Sequence, residues 1–157
     1  MLDAVPPPAT TPIGLHLTRV ARTLSRAFDD ALAAAGGSTP VWLILISLKT
    51  QQLANQRKLA EAIGIEGATL THHLNAMEAD GLVTRRPNPT NRRVHLVELT
   101  EAGEALFQRL RAAAVGFDRQ LRAGLTDADV ATLAQLLDRL RDNVSTGAAE
   151  SRSQAAR

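Results

Sequence analysis

The chain has 157 residues, enough for one compact domain with its own core or for two small lobes. Apolar residues make up 45% and charged residues 22%, the balance of a soluble globular protein. The formal charge is +2, and the absence of cysteine excludes disulfides, thiolate nucleophiles, Cys-held zinc and thiol redox sensing.

The isoelectric point near 9.9 overstates the basic character. With no Tyr and only two Lys, little titrates between about pH 8 and 10, so a small positive excess moves the isoelectric point far up. Where the charge sits therefore matters more than its sum. The opening "MLDAVPPPATTP" has neither a basic start nor an apolar run of signal type, and "VWLILI" is far short of a membrane span. A cytoplasmic protein with no membrane partner is expected.

Residues 1–12, with four prolines, are expected to form an extended arm. Ile13, Leu17, Val20, Leu24, Phe28 and Leu32 then recur at steps of three and four, which gives one apolar stripe on a long helix ended by Gly36 and Gly37. Thr39 before Pro40 reads as the cap of the next helix, "VWLILISL", which suits a strand on propensity but has a helical start signal. Asn55 can cap "QRKLAEAIG", and after the turn "IEG" a further helix runs to Gly81. Two short helices joined by such a turn have the pattern of a helix-turn-helix. The β-prone runs "LVTRR" and "RVHLVEL" flank the turn-rich "PNPTNR" and predict a hairpin. Thr100 and Thr126 open two more helices, the first striped by Leu106, Leu110, Phe117 and Leu121, the second by Val130, Leu133, Leu136, Leu137 and Leu140.

The expected fold is mainly α with a small β-hairpin wing. A winged helix-turn-helix spans 38–100, helical dimerisation segments span 13–37 and 101–144, and a disordered tail spans 145–157. The terminal helices carry more apolar surface than a small central module can cover, which implies a homodimer.

Adjacent side chains on a helix diverge by about 100°, so His72 and His73 cannot face one partner. His73 falls on the apolar face with Leu70, Leu74 and Met77, while His72 falls with Thr69 and Asn75 on a polar face without bulk. Such a face, to which Thr71 also contributes, suits a helix that lies in the major groove of double-stranded DNA. The plain alternatives are a solvated His72 and a satisfied core His73. No Asp, Glu or His lies four residues from His73 on its face, so no metal ligand set is expected.

Arg85, Arg86, Arg92 and Arg93 flank one loop with no acidic residue between Asp80 and Glu98. Four guanidinium groups there suit phosphate contacts and the narrow minor groove, against the alternative of a merely solvated charge run. Gln56, Arg57 and Lys58, at the start of the preceding helix, are further phosphate candidates, although they equally suit an ordinary helix start.

"LAEAIGIEGATLTHHLNAMEADGLVTRR", "NPTNRR" and "LTEAG", in that order, resemble the core of MarR-family winged-helix regulators, closest to the SlyA-like branch, over roughly residues 13 to 143. The resemblance implies a dimer on a pseudo-palindromic operator, usually a repressor, often released by small aromatic acids or phenols. It also implies wing contacts from Asn91, Arg92 and Arg93, where the family's Asp-x-Arg pattern is replaced by "NRR" and the steering charge is lost. Where relatives often read a base with arginine, this chain has His72. The family's effector pocket falls here near His16, Arg19 and Trp42, an aromatic surface with a cationic neighbour; that Trp42 is core and Arg19 a surface charge is the alternative. No catalytic residue or cofactor is expected, since neither a nucleophile arrangement nor paired carboxylates is evident and Glu101 and Glu104 suit a helix N-terminus. A winged helix serving protein interaction, with no operator, is the rival reading.

Overall fold

The computed structural model describes residues 11–51, 56–87 and 95–155. The helices are α1 (Ile13–Ala34), α2 (Thr39–Gln51), α3 (Gln56–Ile63) and α4 (Gly67–Ala79), followed after strands β1 (Val83–Pro87) and β2 (His95–Leu99) by α5 (Glu101–Leu121) and α6 (Asp127–Ala155). The chain falls into two compact units divided within α5, one up to Phe117 and the other from Asp118. No single helix among the described residues is long and apolar enough to cross a membrane.

α2 is a helix because its apolar residues are needed on every side. Trp42, Ile44 and Leu45 are buried, and Val41, Leu43, Ile46 and Leu48 pack partly buried around the same core. Its start differs from expectation by one residue: Trp42 N bonds to Ser38 O at 2.9 Å, and the Thr39 hydroxyl donates to Asp29 Oδ1, tying α2 to α1 instead of capping it. Asn55, the expected cap of α3, lies outside the described residues.

Leu59 and Ala60 of α3, Leu70, Leu74 and Met77 of α4, and Val83 and Val97 of the hairpin close on α2, each buried. Leu32 of α1 and Leu106, Phe107 and Leu110 of α5 belong to the same core. Packing therefore draws no line at 38 or 100. The end of α1 and the start of α5 are built into the winged helix, because Leu32 and Leu110 each lose all contact with water there, worth roughly 1.5–3 kcal/mol apiece.

The junction between α4, the hairpin and α5 is a set of backbone and hydroxyl bonds. Gly81 sits at φ +69, a left-handed cap open to glycine, so that Leu82 N reaches Met77 O at 2.8 Å and Gly81 N reaches Glu78 O at 3.0 Å. The Thr100 hydroxyl donates to Gly81 O at 2.6 Å and accepts from Gly103 N at 3.0 Å, while Thr100 N donates to Leu82 O at 3.1 Å. One threonine thus caps α5 and fastens it to the end of α4.

In the second unit Thr126 and Asp129 cap α6 reciprocally: Thr126 N donates to Asp129 Oδ2 at 2.8 Å and Asp129 N to Thr126 Oγ1 at 3.2 Å. Hydrogen bonds from the Thr126 hydroxyl and then its backbone N–H hold the Asp129 carboxyl below its ordinary value. α6 continues to Ala155, through the stretch expected to be a disordered tail. The reason is composition: after Val144 there is no proline, and Ala148, Ala149, Glu150, Arg152, Gln154 and Ala155 are good helix formers that need no apolar face to propagate a helix already begun.

Candidate nucleic-acid interface

α3, the turn at Gly64 and α4 form a helix-turn-helix whose second helix keeps one face free. Leu70, Leu74 and Met77 are buried, His73 is half-buried, and Thr69, Thr71, His72 and Asn75 are exposed. The two imidazoles lie 5.8 Å apart at 61° and part company as the helical repeat requires. Ala68, Ala76 and Ala79 are exposed between the polar residues, so no bulky side chain keeps another surface from the α4 backbone. The Thr71 hydroxyl donates to Gly67 O at 2.8 Å, which leaves its methyl group and oxygen lone pairs for a partner.

The hairpin separates Arg85 from Arg86. Its antiparallel register sets Val83 against Leu99, Arg85 against Val97 and Arg86 against Leu96, so alternation turns Arg85 to the core side with Val83 and Val97, and Arg86 to the outer side with Thr84 and Glu98. Arg85 is part-buried: its Nε donates to Glu78 Oε2 at 2.9 Å, its Nη2 to Asn75 Oδ1 at 2.7 Å, and its backbone N to Glu78 Oε1 at 3.2 Å. Arg86 makes an exposed fork on Glu98, one bond being Nε to Oε2 at 3.1 Å. These bonds hold the Glu98 carboxyl below its ordinary value. Glu78 and Glu98, just outside the acid-free stretch, are thus brought back by the fold onto two of the arginines. Asn91, Arg92 and Arg93 lie outside the described residues.

Replacing Glu98 with Gln releases Arg86 from a competing carboxylate. The expected result is a roughly three- to tenfold gain in affinity for any duplex DNA, with a salt slope steeper by about one. Anisotropy titrations over a salt series measure both, and an unaltered slope with unaltered affinity takes Arg86 out of the interface.

Gln56 is half-buried at the start of α3, Lys58 is exposed, and Arg57 bonds Glu61 one turn on, Nε to Oε1 at 3.1 Å. With Glu66, Gly67 and Thr71 of the α4 start, Gln56, Arg57 and Glu61 line an open cleft of about 590 Å³. The effector candidates are not gathered into that cleft. Trp42 is 8% exposed and stacks on Phe107, ring centres 5.9 Å apart and planes 11° from parallel, while His16 and Arg19 lie exposed on α1. Trp42 thus takes the alternative weighed for it, a place in the core against Phe107, with Arg19 a surface charge.

Glu78, Thr100 and Gly103 are the positioning residues that sequence reasoning passed over or read too narrowly. The parity of Val83 and Arg85 along β1 was the available signal that Arg85 faces inward and needs an acid there.

A family model described as MarR family matches residues 38–95, the helix-turn-helix and most of the hairpin. A protein of Thauera aromatica assigned as transcriptional regulator of the hcr operon is 30% identical over 129 residues, covering 82% of this chain and 78% of that one. This chain belongs to the MarR family. As a MarR-family protein it is a DNA-binding transcriptional regulator with the winged-helix fold. Similar solved structures include a mutant of Escherichia coli MarR complexed with operator DNA, at 26% identity and a TM-score of 0.71 over 82% of this chain and 93% of that one. Another is the Mycobacterium tuberculosis regulator MOSR in complex with DNA, at 29% identity and a TM-score of 0.61 over 83% and 99% of the two chains.

Proposed function

We propose that this MarR-family regulator binds a pseudo-palindromic operator as a homodimer, each α4 entering a major groove and each wing an adjacent minor groove. The observation that carries the reading is the bond between Asn75 and Arg85: it joins the exposed face of α4 to the first strand of the wing, so helix and hairpin present themselves together. Thr69, Thr71, His72 and Asn75 meet base edges in this reading. Arg86, Asn91, Arg92 and Arg93 serve the wing, and Gln56, Arg57 and Lys58 the phosphates. The E. coli and M. tuberculosis relatives described above are both bound to DNA, the former to its operator.

Homodimerisation is supported by the apolar side chains that α1 and α6 leave in water, Leu17, Val20 and Leu24 on one and Leu133, Leu136 and Leu137 on the other. Segments 13–37 and 101–144 take the dimerisation role in this reading. Repression, relief by a small aromatic acid or phenol, and the likeness to the SlyA-like branch belong to the same proposal and rest on the sequence resemblance. His16 and Arg19, exposed on α1, are the residues left to such a ligand once Trp42 is assigned to the core.

Selection of bound sequences from random duplexes tests the proposal. The expected product is a two-fold motif with half-site centres about one helical turn apart. On that operator, His72→Ala should weaken binding about three- to tenfold and relax base preference at one symmetric pair of positions. Failure to enrich any symmetric motif overturns the reading, and a His72→Ala protein with unchanged affinity and base preference removes His72 from the interface.

A further inference from the structure

Asn75 stands exposed on the reading face of α4, yet its amide is not free to turn. An asparagine amide offers an oxygen that accepts and an NH₂ that donates, and in water either end can be presented to a base. Here Arg85 Nη2 donates to Asn75 Oδ1 at 2.7 Å, and Arg85 is itself fixed by Glu78 through its Nε at 2.9 Å and through its backbone N–H at 3.2 Å. The alternation of β1 supplies the rest, since Arg85 lies on the inner side of the hairpin and only 20% of its side chain is exposed. A flipped amide would set NH₂ against a guanidinium, donor against donor. One rotamer end is therefore excluded before any DNA arrives.

We propose that Glu78 and Arg85 act as a positioning pair for base recognition: they hold the Asn75 oxygen toward the wing and commit its NH₂ to the base edge as a donor. The inference rests on the reading of α4 as the groove-entering helix and adds to it what one residue reads. A donor in the major groove selects an acceptor. Guanine offers N7 and O6 side by side, thymine offers O4 and adenine N7, whereas cytosine offers only an amino group. The position facing Asn75 should therefore reject cytosine; with the amide oxygen held by Arg85 the two-bonded contact to adenine N7 and its amino group is lost as well, so guanine, with two adjacent acceptors, is favoured. A guanidinium on the amide oxygen also polarises the NH₂, strengthening the donor.

The test is base preference, position by position, on the operator selected with the full-length protein. Asn75→Ala should erase the preference at one symmetric pair of positions and leave the others. Asn75→Asp keeps an oxygen for Arg85 but has no donor, so it should lose the same preference while the fold is kept. Arg85→Lys retains the charge and loses the fork; it should relax that pair of positions about five- to tenfold, leave the salt slope unchanged, and add nothing when combined with Asn75→Ala. Should Arg85→Lys instead weaken all sequences alike and leave every base preference intact, Arg85 serves the DNA backbone or the fold and not base choice, and the proposal fails. Should Asn75→Ala leave every preference intact while His72→Ala does not, the groove reading of α4 stands and the assignment to Asn75 falls. If neither variant moves any preference, it is the groove reading itself that fails.

Discussion

Gly103→Ala is expected to destabilise the protein by about 2–4 kcal/mol, a large effect for the addition of one methyl group. A Cβ built on Gly103 would lie 2.0 Å from the backbone oxygen of Leu82 and 3.0 Å from its carbonyl carbon. Neither atom belongs to a side chain, so no rotamer change relieves the overlap, and α5 must move away from the end of α4. That movement strains the bonds that converge there, from Gly103 N to Thr100 Oγ1, from Thr100 Oγ1 to Gly81 O and from Thr100 N to Leu82 O. Against this stands the helix preference for alanine over glycine, about 1 kcal/mol, which a steric conflict with backbone exceeds. Gly116 provides the control within α5, because a Cβ there meets nothing within 4 Å. Gly116→Ala should stabilise by up to about 1 kcal/mol. Urea unfolding followed by circular dichroism, at one fixed protein concentration, gives both values. Shifts of opposite sign are the expected pattern; a Gly103→Ala protein as stable as the parent means that the α4–α5 junction yields without cost, and the close approach has no energetic weight.

The same junction shows where sequence reading reaches its limit. Hydrophobic spacing located α1, α4, α5 and α6, because the stripe of Leu70, Leu74 and Met77 or of Leu106 and Leu110 is a local record of a buried face, whereas α2 and α3 were legible only from their start and stop residues. It also separated His72 from His73, since about 100° per residue is a property of the helix alone. Thr100 could be read as a cap, but its second bond, to Gly81 nineteen residues earlier, depends on the hairpin returning the chain to that point. Non-local pairing hid the wing chemistry too. Glu78 lies seven residues before Arg85 and Glu98 twelve after Arg86, and only the register of β1 with β2 says which arginine meets which acid. Trp42 was ambiguous for a related reason: an indole in an all-apolar helix can line a pocket or fill a core, and Phe107, far along the chain on α5, decides it. The course of α6 past Val144 was missed because apolar periodicity records burial, and a helix of Ala, Glu, Arg and Gln can persist without any.

Leu133→Asp combined with Leu137→Asp is expected to yield a monomer and to reduce operator affinity by at least about 100-fold. On α6, Val130, Leu133, Leu136, Leu137, Leu140 and Val144 recur at helical spacing, and Leu133, Leu136 and Leu137 are 51%, 48% and 40% exposed in the single chain. Burying a leucine is worth roughly 1.5–3 kcal/mol, and a two-fold interface counts each one twice, so this face represents a substantial drive to associate. Two aspartates per chain place four carboxylates in the proposed contact, where unpaired charge is far more costly than lost apolar area. Duplex binding suffers in turn because two half-sites held by one rigid dimer act at high effective concentration, an advantage that separate monomers lose. Aspartate also lowers helix propensity, so Leu133→Ala with Leu137→Ala is the necessary companion: it favours the helix, removes the apolar area, and should weaken the dimer by a smaller amount. Sedimentation velocity over a concentration series reports the association state, circular dichroism the helix content, and anisotropy the operator affinity. A double aspartate variant that remains dimeric moves the interface away from this face of α6, and a monomer that binds the operator as tightly as the parent overturns the premise that two copies of α4 read it together.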